Sequence, residues 1–189
     1  MSTTDLRYRR TEQLLCSALF ELLEEHGFDT IKINELTQRA GVSRQTFYAH
    51  YEDKYEFLDR LNGRIVDRVA QLLDRACEKE GSLALVFDYL TNLLHDQPFC
   101  LDLQRLWSAN QAVDAVNFKN LSERLDQLFF LHFEDFVCCG SGSSQANYFR
   151  EFLGKNMTYA LVRSARDSSD TPIQLLRLLF QAPATDNTR

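Results

Sequence analysis

Glycine and proline are scarce in this chain, which has 7 Gly and 3 Pro among 189 residues. Few positions force the chain to turn, so the scarcity favours helices over a fold of many short strands. No apolar run approaches the roughly 18 residues that span a bilayer. The polar start MSTTDLRYRRTEQ also lacks the apolar segment of a signal peptide. We therefore expect a cytoplasmic protein without membrane contact.

Motifs of catalysis and metal binding are also missing. The sequence contains no HExxH, GxSxG or P-loop motif, so we expect no enzymatic activity and no cofactor. Five cysteines are present without a CxxC spacing: Cys16, Cys77, Cys100, Cys138 and Cys139. Packed thiols are the simpler interpretation. A thiol or metal sensor at Cys138-Cys139 stays open, although His132 would lie on a different helix face, and we assign no metal ligand.

Charge is negative overall and positive in one segment. The formal net charge of -6 argues against coating nucleic acid through bulk charge. Residues 30–50 nevertheless carry three basic side chains, Lys32, Arg39 and Arg44, against Glu35 alone. Three further arginines form a basic arm that we place ahead of the first helix: Arg7, Arg9 and Arg10.

Apolar spacing predicts three short helices at the start of the chain. The first covers residues 8–26, with Gly27 expected to end it in the left-handed conformation. The second places Ile33, Leu36 and Ala40 on its inner side, and Gly41 ends it. Ser43 is a good N-cap for the third. Ala40-Gly41-Val42 lets two helices cross closely, which predicts a helix-turn-helix.

Residues 10–58 resemble the DNA-binding domain of the TetR family of bacterial transcription regulators, also called TetR/AcrR-like. The resemblance lies in LLCSALFELLEEHGF and INELTQRAGVSRQTFYAHYEDKYEFL, where AGVS, TFY, HY, DK and a following Leu occur in order. It covers about the first third of the chain. It implies an all-α fold, with a helix-turn-helix domain at residues 1–52 and a helical effector-binding and dimerisation domain at residues 53–189.

The remaining helical pattern agrees with that fold. A long fourth helix is predicted from the spacing of Tyr55, Leu58, Leu61, Ile65, Val69, Leu72 and Ala76, ending at Gly81 with Ser82 as the next N-cap. Further helices are expected at residues 83–95, from Pro98 onward, and at residues 117–137, 144–166 and 172–180. A flexible break is expected at residues 140–145, and the tail from residue 182 is expected to fray.

The DNA-binding residues are expected on and around the third helix. A recognition helix presents polar side chains to base edges in the major groove, and here Arg44, Gln45 and Thr46 stand beside the N-cap Ser43. Tyr48 and His50 match family positions that touch phosphates, and Lys54, which opens the fourth helix, is also expected to reach a phosphate. Phe47 and Tyr51 are expected to anchor the helix in the core.

Three residues depart from the family's pattern. Lys32 stands where Ser or Thr often caps the second helix, so the cap is weakened, although its ammonium group is suited to a phosphate. Thr37 replaces a common Ala, and Gln45 replaces a common Gly. The extra side chain at Gln45 predicts an individual operator sequence.

The C-terminal part is rich in phenylalanine. We expect an apolar or aromatic effector there, at Phe87, His95, Phe99, Gln104, Trp107, Gln111, Phe129, His132 and Phe133, unless these residues simply fill the core. The last two helices are expected to form a homodimer interface through Phe149, Phe152, Leu153, Tyr159, Leu161, Leu175, Leu178, Leu179 and Phe180.

The sequence therefore predicts a sequence-specific transcriptional regulator, nucleoid-associated, that binds double-stranded DNA at a palindrome-like operator. A repressor released by a small molecule is the leading interpretation. The alternative is an architectural or cell-cycle protein of the same fold that binds DNA and a protein partner without a ligand. A preformed pocket would favour the first interpretation, and a filled core the second.

Overall fold

The computed structural model describes residues 3–78, 83–111, 113, 118–133 and 144–180. Within those residues the regular structure is entirely helical, which confirms the predicted all-α fold. The helices are α1 (Thr3–Glu25), α2 (Ile33–Arg39), α3 (Arg44–Tyr48), α4 (Lys54–Glu78), α5 (Leu83–Leu93), α6 (Gln97–Gln111), α7 (Leu121–His132), α8 (Ser144–Asp167) and α9 (Thr171–Phe180), with a single 3-10 turn at Phe28–Thr30. No helix in the described part of the chain is long and apolar enough to cross a membrane.

The chain divides into two compact units. The first consists of Met1–Asn62 with Arg105–Asn120, and the second of Gly63–Gln104 with Leu121–Arg189. The boundary that we placed after residue 52 falls within the first unit. Helices α4 and α6 each contribute residues to both units.

The first unit is built around an aromatic core. Phe47, Tyr51 and Phe57 are buried, and the ring centroids of Tyr51 and Phe57 lie 4.7 Å apart. Phe47 is therefore a core residue, as predicted, although Tyr51 lies beyond the end of α3. A reciprocal amide pair between Asn62 and Asn110, with both N···O distances at 2.9 Å, satisfies two buried polar side chains.

The two glycines of this unit behave differently. Gly41 has a φ of 66°, the left-handed conformation in which a side chain is strained, and it ends α2 as predicted. Gly27 has a φ of -70° and a ψ of 147°, so our expectation of left-handed geometry there was wrong. The chain continues from Gly27 directly into the 3-10 turn, which requires extended backbone at that position.

The second unit packs α8 against α7 and α9, and α9 also against α5. Gly154 of α8 allows a close approach to α7, because a Cβ atom there would lie 3.1 Å from the carbonyl oxygen of Asp126. Phe129 and Phe133 stack with centroids 5.7 Å apart and are fully buried. Both rings therefore belong to the core of the second unit.

Several predicted boundaries differ from the structure. Helix α7 begins at Leu121, so Phe118, Lys119 and Asn120 are not helical as we expected. Between Val69 and Ala76 of α4 the buried leucine is Leu73, while Leu72, which we had placed on the inner face, is half-buried. The predicted features at Gly81-Ser82, Cys138-Cys139, residues 140–143 and the tail from residue 182 lie outside the described residues.

Candidate nucleic-acid interface

The N-terminus of α3 is held by a side-chain cap. The Ser43 hydroxyl accepts a hydrogen bond from the backbone N–H of Thr46 at 3.0 Å and contacts the Thr46 hydroxyl at 2.8 Å. The predicted N-cap is thus confirmed. The hydroxyl groups of Ser43 and Thr46 bond to each other and hold the start of α3. The methyl group of Thr46 takes no part in these hydrogen bonds.

Arg44 and Gln45 are the exposed residues at the start of α3. The guanidinium carbon of Arg44 lies 5.9 Å from the ring centroid of Tyr48, which is itself 48% exposed. A guanidinium can bond guanine at two positions and an amide can bond adenine in the same way. Both side chains are therefore accessible, as the predicted base contacts require, and they lie beside the exposed phenol of Tyr48.

Lys32 is exposed at the N-cap of α2 and makes no capping hydrogen bond. This confirms the expected loss of the side-chain cap, because an ammonium group cannot accept a hydrogen bond from a backbone N–H. The N-terminal end of a helix favours a negative charge nearby. An exposed lysine at that end is consequently well suited to a phosphate group.

Lys54 does not have the arrangement of a phosphate contact. Its Nζ donates to the carbonyl oxygens of Phe28 at 3.0 Å, Asp29 at 2.7 Å and Ile31 at 3.0 Å. An ammonium group has three N–H bonds, so all of them are used inside the protein. Burial lowers the pKa of Lys54, although neighbouring Asp29 and Asp53 oppose that shift. We therefore remove Lys54 from the candidate DNA contacts and assign it to the 3-10 turn.

Arg39 is also engaged within the protein. Its guanidinium donates to both carboxylate oxygens of Glu25, at 2.9 and 3.1 Å, and lies 3.6 Å from Glu21. The hydrogen bond from Arg39 holds the pKa of Glu25 below its ordinary value. One of the three positive charges counted in residues 30–50 is thus compensated by α1, and Lys32 and Arg44 remain.

The predicted basic arm is part of a helix. Arg7, Arg9 and Arg10 lie within α1, which begins at Thr3, so the expectation of an arm ahead of the helix was wrong. All three side chains are exposed. The three arginines lie in the same turns of α1 as Tyr8.

Tyr8 connects α1 to the segment that follows α3. Its ring centroid lies 4.5 Å from that of His50, edge to face, and its hydroxyl accepts a hydrogen bond from Arg60 at 3.0 Å. Tyr8 and Arg60 were not predicted from the sequence. The helical register offers a signal, since residues 8, 12, 15 and 19 share one face and Leu15 and Leu19 are core residues. His50, a predicted phosphate contact, is therefore positioned by α1.

A buried hydrogen bond also joins α1 to the segment that follows α3. The hydroxyl of Tyr51 donates to Glu12 Oε1 at 3.1 Å, and both residues are buried. Burial, together with the negative charge of Glu12, raises the pKa of Tyr51, so the phenol stays protonated and remains a donor. The carboxylate gains a partner that offsets the cost of burying it.

The predicted effector residues do not form one site. Phe87, Phe99, Phe129 and Phe133 are core residues, at 0 to 3% exposure. His132 binds Asp74 at 3.0 Å, and His95 and Gln104 contact the backbone of Thr91 and Ala165. Trp107 and Gln111 belong to the first unit, and the other seven to the second. None of the nine lines either of the two cavities described in the second unit.

The side chain of Phe180, one of the nine dimer candidates, lies outside the described residues, and the other eight separate into two groups. Leu153 and Leu161 are buried core residues, contrary to the expected interface role, because α8 turns them toward the interior. Six others are exposed: Phe149, Phe152, Tyr159, Leu175, Leu178 and Leu179. Tyr148, which we did not predict, is 73% exposed on the same helix as Phe152.

Comparison with known sequences identifies the first unit. Residues 15–61 match the model of the tetR family of bacterial regulatory proteins. The chain is also 28% identical over 137 residues to the uncharacterized HTH-type transcriptional regulator YxbF of Bacillus subtilis strain 168. That match includes 68% of this chain but 33% of the relative, so the chain spans about a third of the relative's length.

Solved structures agree in fold. A transcriptional regulator from Pseudomonas aeruginosa PAO1 gives a TM-score of 0.65 at 18% identity, covering 90% of this chain and 88% of that one. The regulatory protein TetR from Rhodobacter sphaeroides gives 0.57 at 20% identity, covering 89% and 95%. A gamma-butyrolactone receptor, an ArpA-like protein, gives 0.56 at 14% identity, covering 94% and 100%. Residues 15–61 thus form a helix-turn-helix domain of the tetR family of bacterial regulatory proteins, and the chain has the fold of these solved structures.

Proposed function

We propose that the chain is a sequence-specific transcriptional repressor that reads DNA with α3. The arrangement of Arg44 and Gln45 carries the proposal, because both side chains are exposed in the first turn of a capped helix that the buried Phe47 anchors. A rigid helix with outward base-reading groups is what direct readout in the major groove requires. Lys32, Tyr48 and His50 then serve as phosphate contacts that set the register.

The test is a selection from a random double-stranded DNA library. The wild type should enrich one palindrome-like site, and Arg44→Ala or Gln45→Ala should lose preference at the base positions that these side chains contact. Each lost bidentate contact is expected to cost about 1–3 kcal/mol of discrimination. Gln127→Ala, an exposed glutamine on α7, is the matched control and should select the wild-type site. Identical sites from all four proteins would exclude reading by α3.

We propose further that two chains form a homodimer through α8 and α9. On α8, Tyr148, Phe152 and Tyr159 lie within about 40° of one another at 100° per residue, and they are 58 to 73% exposed. On α9, Leu175, Leu178 and Leu179 are 57 to 71% exposed. An exposed apolar surface of this extent is typical of an interface between proteins.

Light scattering of purified protein tests the dimer. Phe152→Asp should shift the mass from two chains toward one, because it places a charge in an apolar interface. Leu131→Asp changes a 56% exposed leucine of α7 and should leave the mass unchanged. A wild type that is already one chain at micromolar concentration would refute the dimer.

Release by a small molecule is the second part of the proposed repressor mechanism. An effector acts only if it binds the DNA-competent and DNA-incompetent states with different affinity. The test is a reporter gene placed behind the selected site: the protein should lower expression, and an effector should restore it. Higher expression in the presence of the protein would make it an activator instead.

The second candidate function is that of an architectural or cell-cycle protein without a small-molecule ligand. One observation favours it, since the phenylalanines that we assigned to an effector pocket are packed core residues. A cavity elsewhere in the second unit supports the first candidate. The two are separated by whether small molecules bind the second unit at all.

A further inference from the structure

The imidazole of His50 lies just beyond the end of α3. The helix ends at Tyr48 with Ala49 as its C-cap, and the backbone N–H of His50 donates to the carbonyl oxygen of Phe47 at 2.9 Å. The side chain is half-buried, and neither ring nitrogen hydrogen-bonds to a residue that the structure describes. Both nitrogens are therefore available to an acceptor outside the chain, such as a phosphate oxygen.

Two aromatic rings hold the His50 imidazole from within the first unit. The ring centroid of Tyr8, on α1, lies 4.5 Å from that of His50, and the two planes make an angle of 63°. The ring of Tyr51 lies 6.1 Å away at an angle of 42° and is buried. Aromatic rings in edge-to-face contact at such distances attract each other. Since His50 is outside the helix, these contacts restrain its side chain.

Arg60, on α4, holds Tyr8 in turn. Its Nη1 donates to the Tyr8 hydroxyl at 3.0 Å, while Nη2 and Nε donate to Glu56 Oε1 at 2.9 and 3.3 Å. The guanidinium carbon also lies 5.4 Å from the ring centroid of Tyr51. A guanidinium is planar and carries its donors in a rigid fork, so these three contacts fix its orientation. The hydroxyl of Tyr8 is thereby fixed as well.

The chain of contacts runs from α4 through α1 to the segment after α3. Tyr8, His50 and Arg60 all belong to the first unit. Burial and the charge of Glu12 raise the pKa of Tyr51, and the nearby Tyr8 hydroxyl adds to that shift. The Tyr8 hydroxyl therefore lies close to both Arg60 and the buried Tyr51, which leaves its ring little freedom to move away from His50.

We infer that Tyr8 and Arg60 are positioning residues for DNA binding, although neither is assigned to a base or a phosphate. Arg60 fixes the hydroxyl of Tyr8, and the Tyr8 ring keeps the His50 imidazole in place for a phosphate. A side chain that is ordered before binding loses less conformational entropy on binding. The inference rests on the proposed function, in which His50 contacts a phosphate, and it adds α1 and α4 to the elements that determine DNA affinity.

Fluorescence anisotropy of the full chain, on a duplex that carries the selected site, tests the effect on affinity. Tyr8→Leu removes the ring and should weaken binding about three- to tenfold for each subunit on the DNA. Tyr8→Phe keeps the ring and loses only the hydrogen bond from Arg60, so its loss should be smaller. Tyr55→Phe is the matched control, because it removes a hydroxyl of the same unit that bonds to Asp29, and it should bind like the wild type.

A double-mutant cycle with His50→Ala separates positioning from a general structural role. All affinities are compared below the melting temperatures of the variants. If Tyr8 acts through His50, Tyr8→Leu should cause no further loss of affinity in the His50→Ala protein. An equal loss in both backgrounds would overturn the inference, because Tyr8 would then support the domain as a whole.

The restraint on His50 is also measured without DNA, by NMR of the histidine rings. The chain has four histidines, and the His50 signals are those that disappear in His50→Ala. The ring current of Tyr8 displaces these signals, so Tyr8→Leu should move them toward the positions of an exposed histidine, and Tyr8→Phe should largely keep them. Unchanged signals in Tyr8→Leu would contradict the inference.

The outcomes distinguish this inference from the proposed function. Unchanged affinity in Tyr8→Leu, while Arg44→Ala still alters the selected site, removes the positioning role and leaves reading by α3 intact. A wild type that selects no DNA site refutes the proposed function, and the positioning role with it.

Discussion

Replacing Lys54 by methionine separates two roles that the sequence alone cannot distinguish. The structure gives the lysine three carbonyl partners, Phe28, Asp29 and Ile31, at 2.7 to 3.0 Å. Its Nζ also lies 5.0 Å from the ring centroid of Phe28. Methionine keeps the length of the apolar stem and removes only the ammonium group, so Lys54→Met should destabilise the 3-10 turn without opening a cavity.

The expected loss follows from the burial of the three acceptors. A hydrogen bond to a charged group contributes about 1.5–3 kcal/mol net, but the carbonyl of Asp29 is exposed and gains water when the lysine is lost. The other two are partly buried. Burial of the ammonium, which lowers the pKa of Lys54, offsets part of the gain. We expect a net loss of about 2 kcal/mol, or about 4–8 °C in melting temperature for a chain of this size.

Two measurements are compared on the same samples: thermal unfolding, and DNA affinity at several salt concentrations below the melting temperature. Lys54→Met should lower the melting temperature and leave the salt dependence unchanged. Lys32→Met is the matched control, because Lys32 is exposed and caps nothing. It should leave the melting temperature unchanged and reduce the log–log salt slope by about 0.9 per subunit. An unchanged melting temperature with a reduced slope in Lys54→Met would refute the assignment.

Three further changes test the first unit. Tyr51→Phe should lower the free energy of unfolding by about 1–2 kcal/mol in urea titrations, because the buried carboxylate of Glu12 loses a donor; no loss would mean that this hydrogen bond adds nothing. Gly41→Ala should cost about 1–2 kcal/mol from left-handed strain alone, since a Cβ there would meet no described atom within 4 Å; a neutral result would contradict the backbone geometry. Glu56 accepts the backbone N–H four residues before it, and this bond, followed by the one from Arg60, lowers its pKa below 4.5. Because the folded-state pKa of Glu56 is lowered, its contribution to the free energy of unfolding is present above pH 4.5 and is lost as the pH falls through the lower folded value. Glu56→Gln should therefore flatten the dependence of stability on pH below pH 4.5. An unchanged loss of stability at acid pH would count against the contact.

The helix-turn-helix was predictable because its determinants are local. A left-handed glycine ends α2 at Gly41, a serine caps α3 at Ser43, and a buried aromatic residue at Phe47 anchors the inner face. The glycine and the cap depend on neighbours within four residues, and the apolar spacing marks Phe47 as an inner residue, so the pattern of residue types is sufficient. Arg44 and Gln45 are exposed in the first turn of α3, directly after the cap.

The fate of individual positive charges was not predictable in this way. Arg39 is paired with glutamates 14 and 18 residues earlier, and Lys54 with carbonyls 23 to 26 residues earlier. Counting charges in a segment gives a local excess, but it does not show which cations are already compensated by folding. Lys32 and Arg44 remain as exposed cations of that segment, and this is why the salt slope is the sharper test of the interface.

A cavity of the second unit, between α4 and α5, was missed for a related physical reason. Arg68, Gln71 and Arg75 form the polar stripe of an amphipathic helix, and such a stripe has the same sequence pattern whether it faces bulk water or a second polar stripe across a cavity. The phenylalanines were assigned to a pocket but fill the core. An apolar pocket and a filled core contain the same residue types, so the sequence does not distinguish them. The difference lies in which side chains have partners after folding.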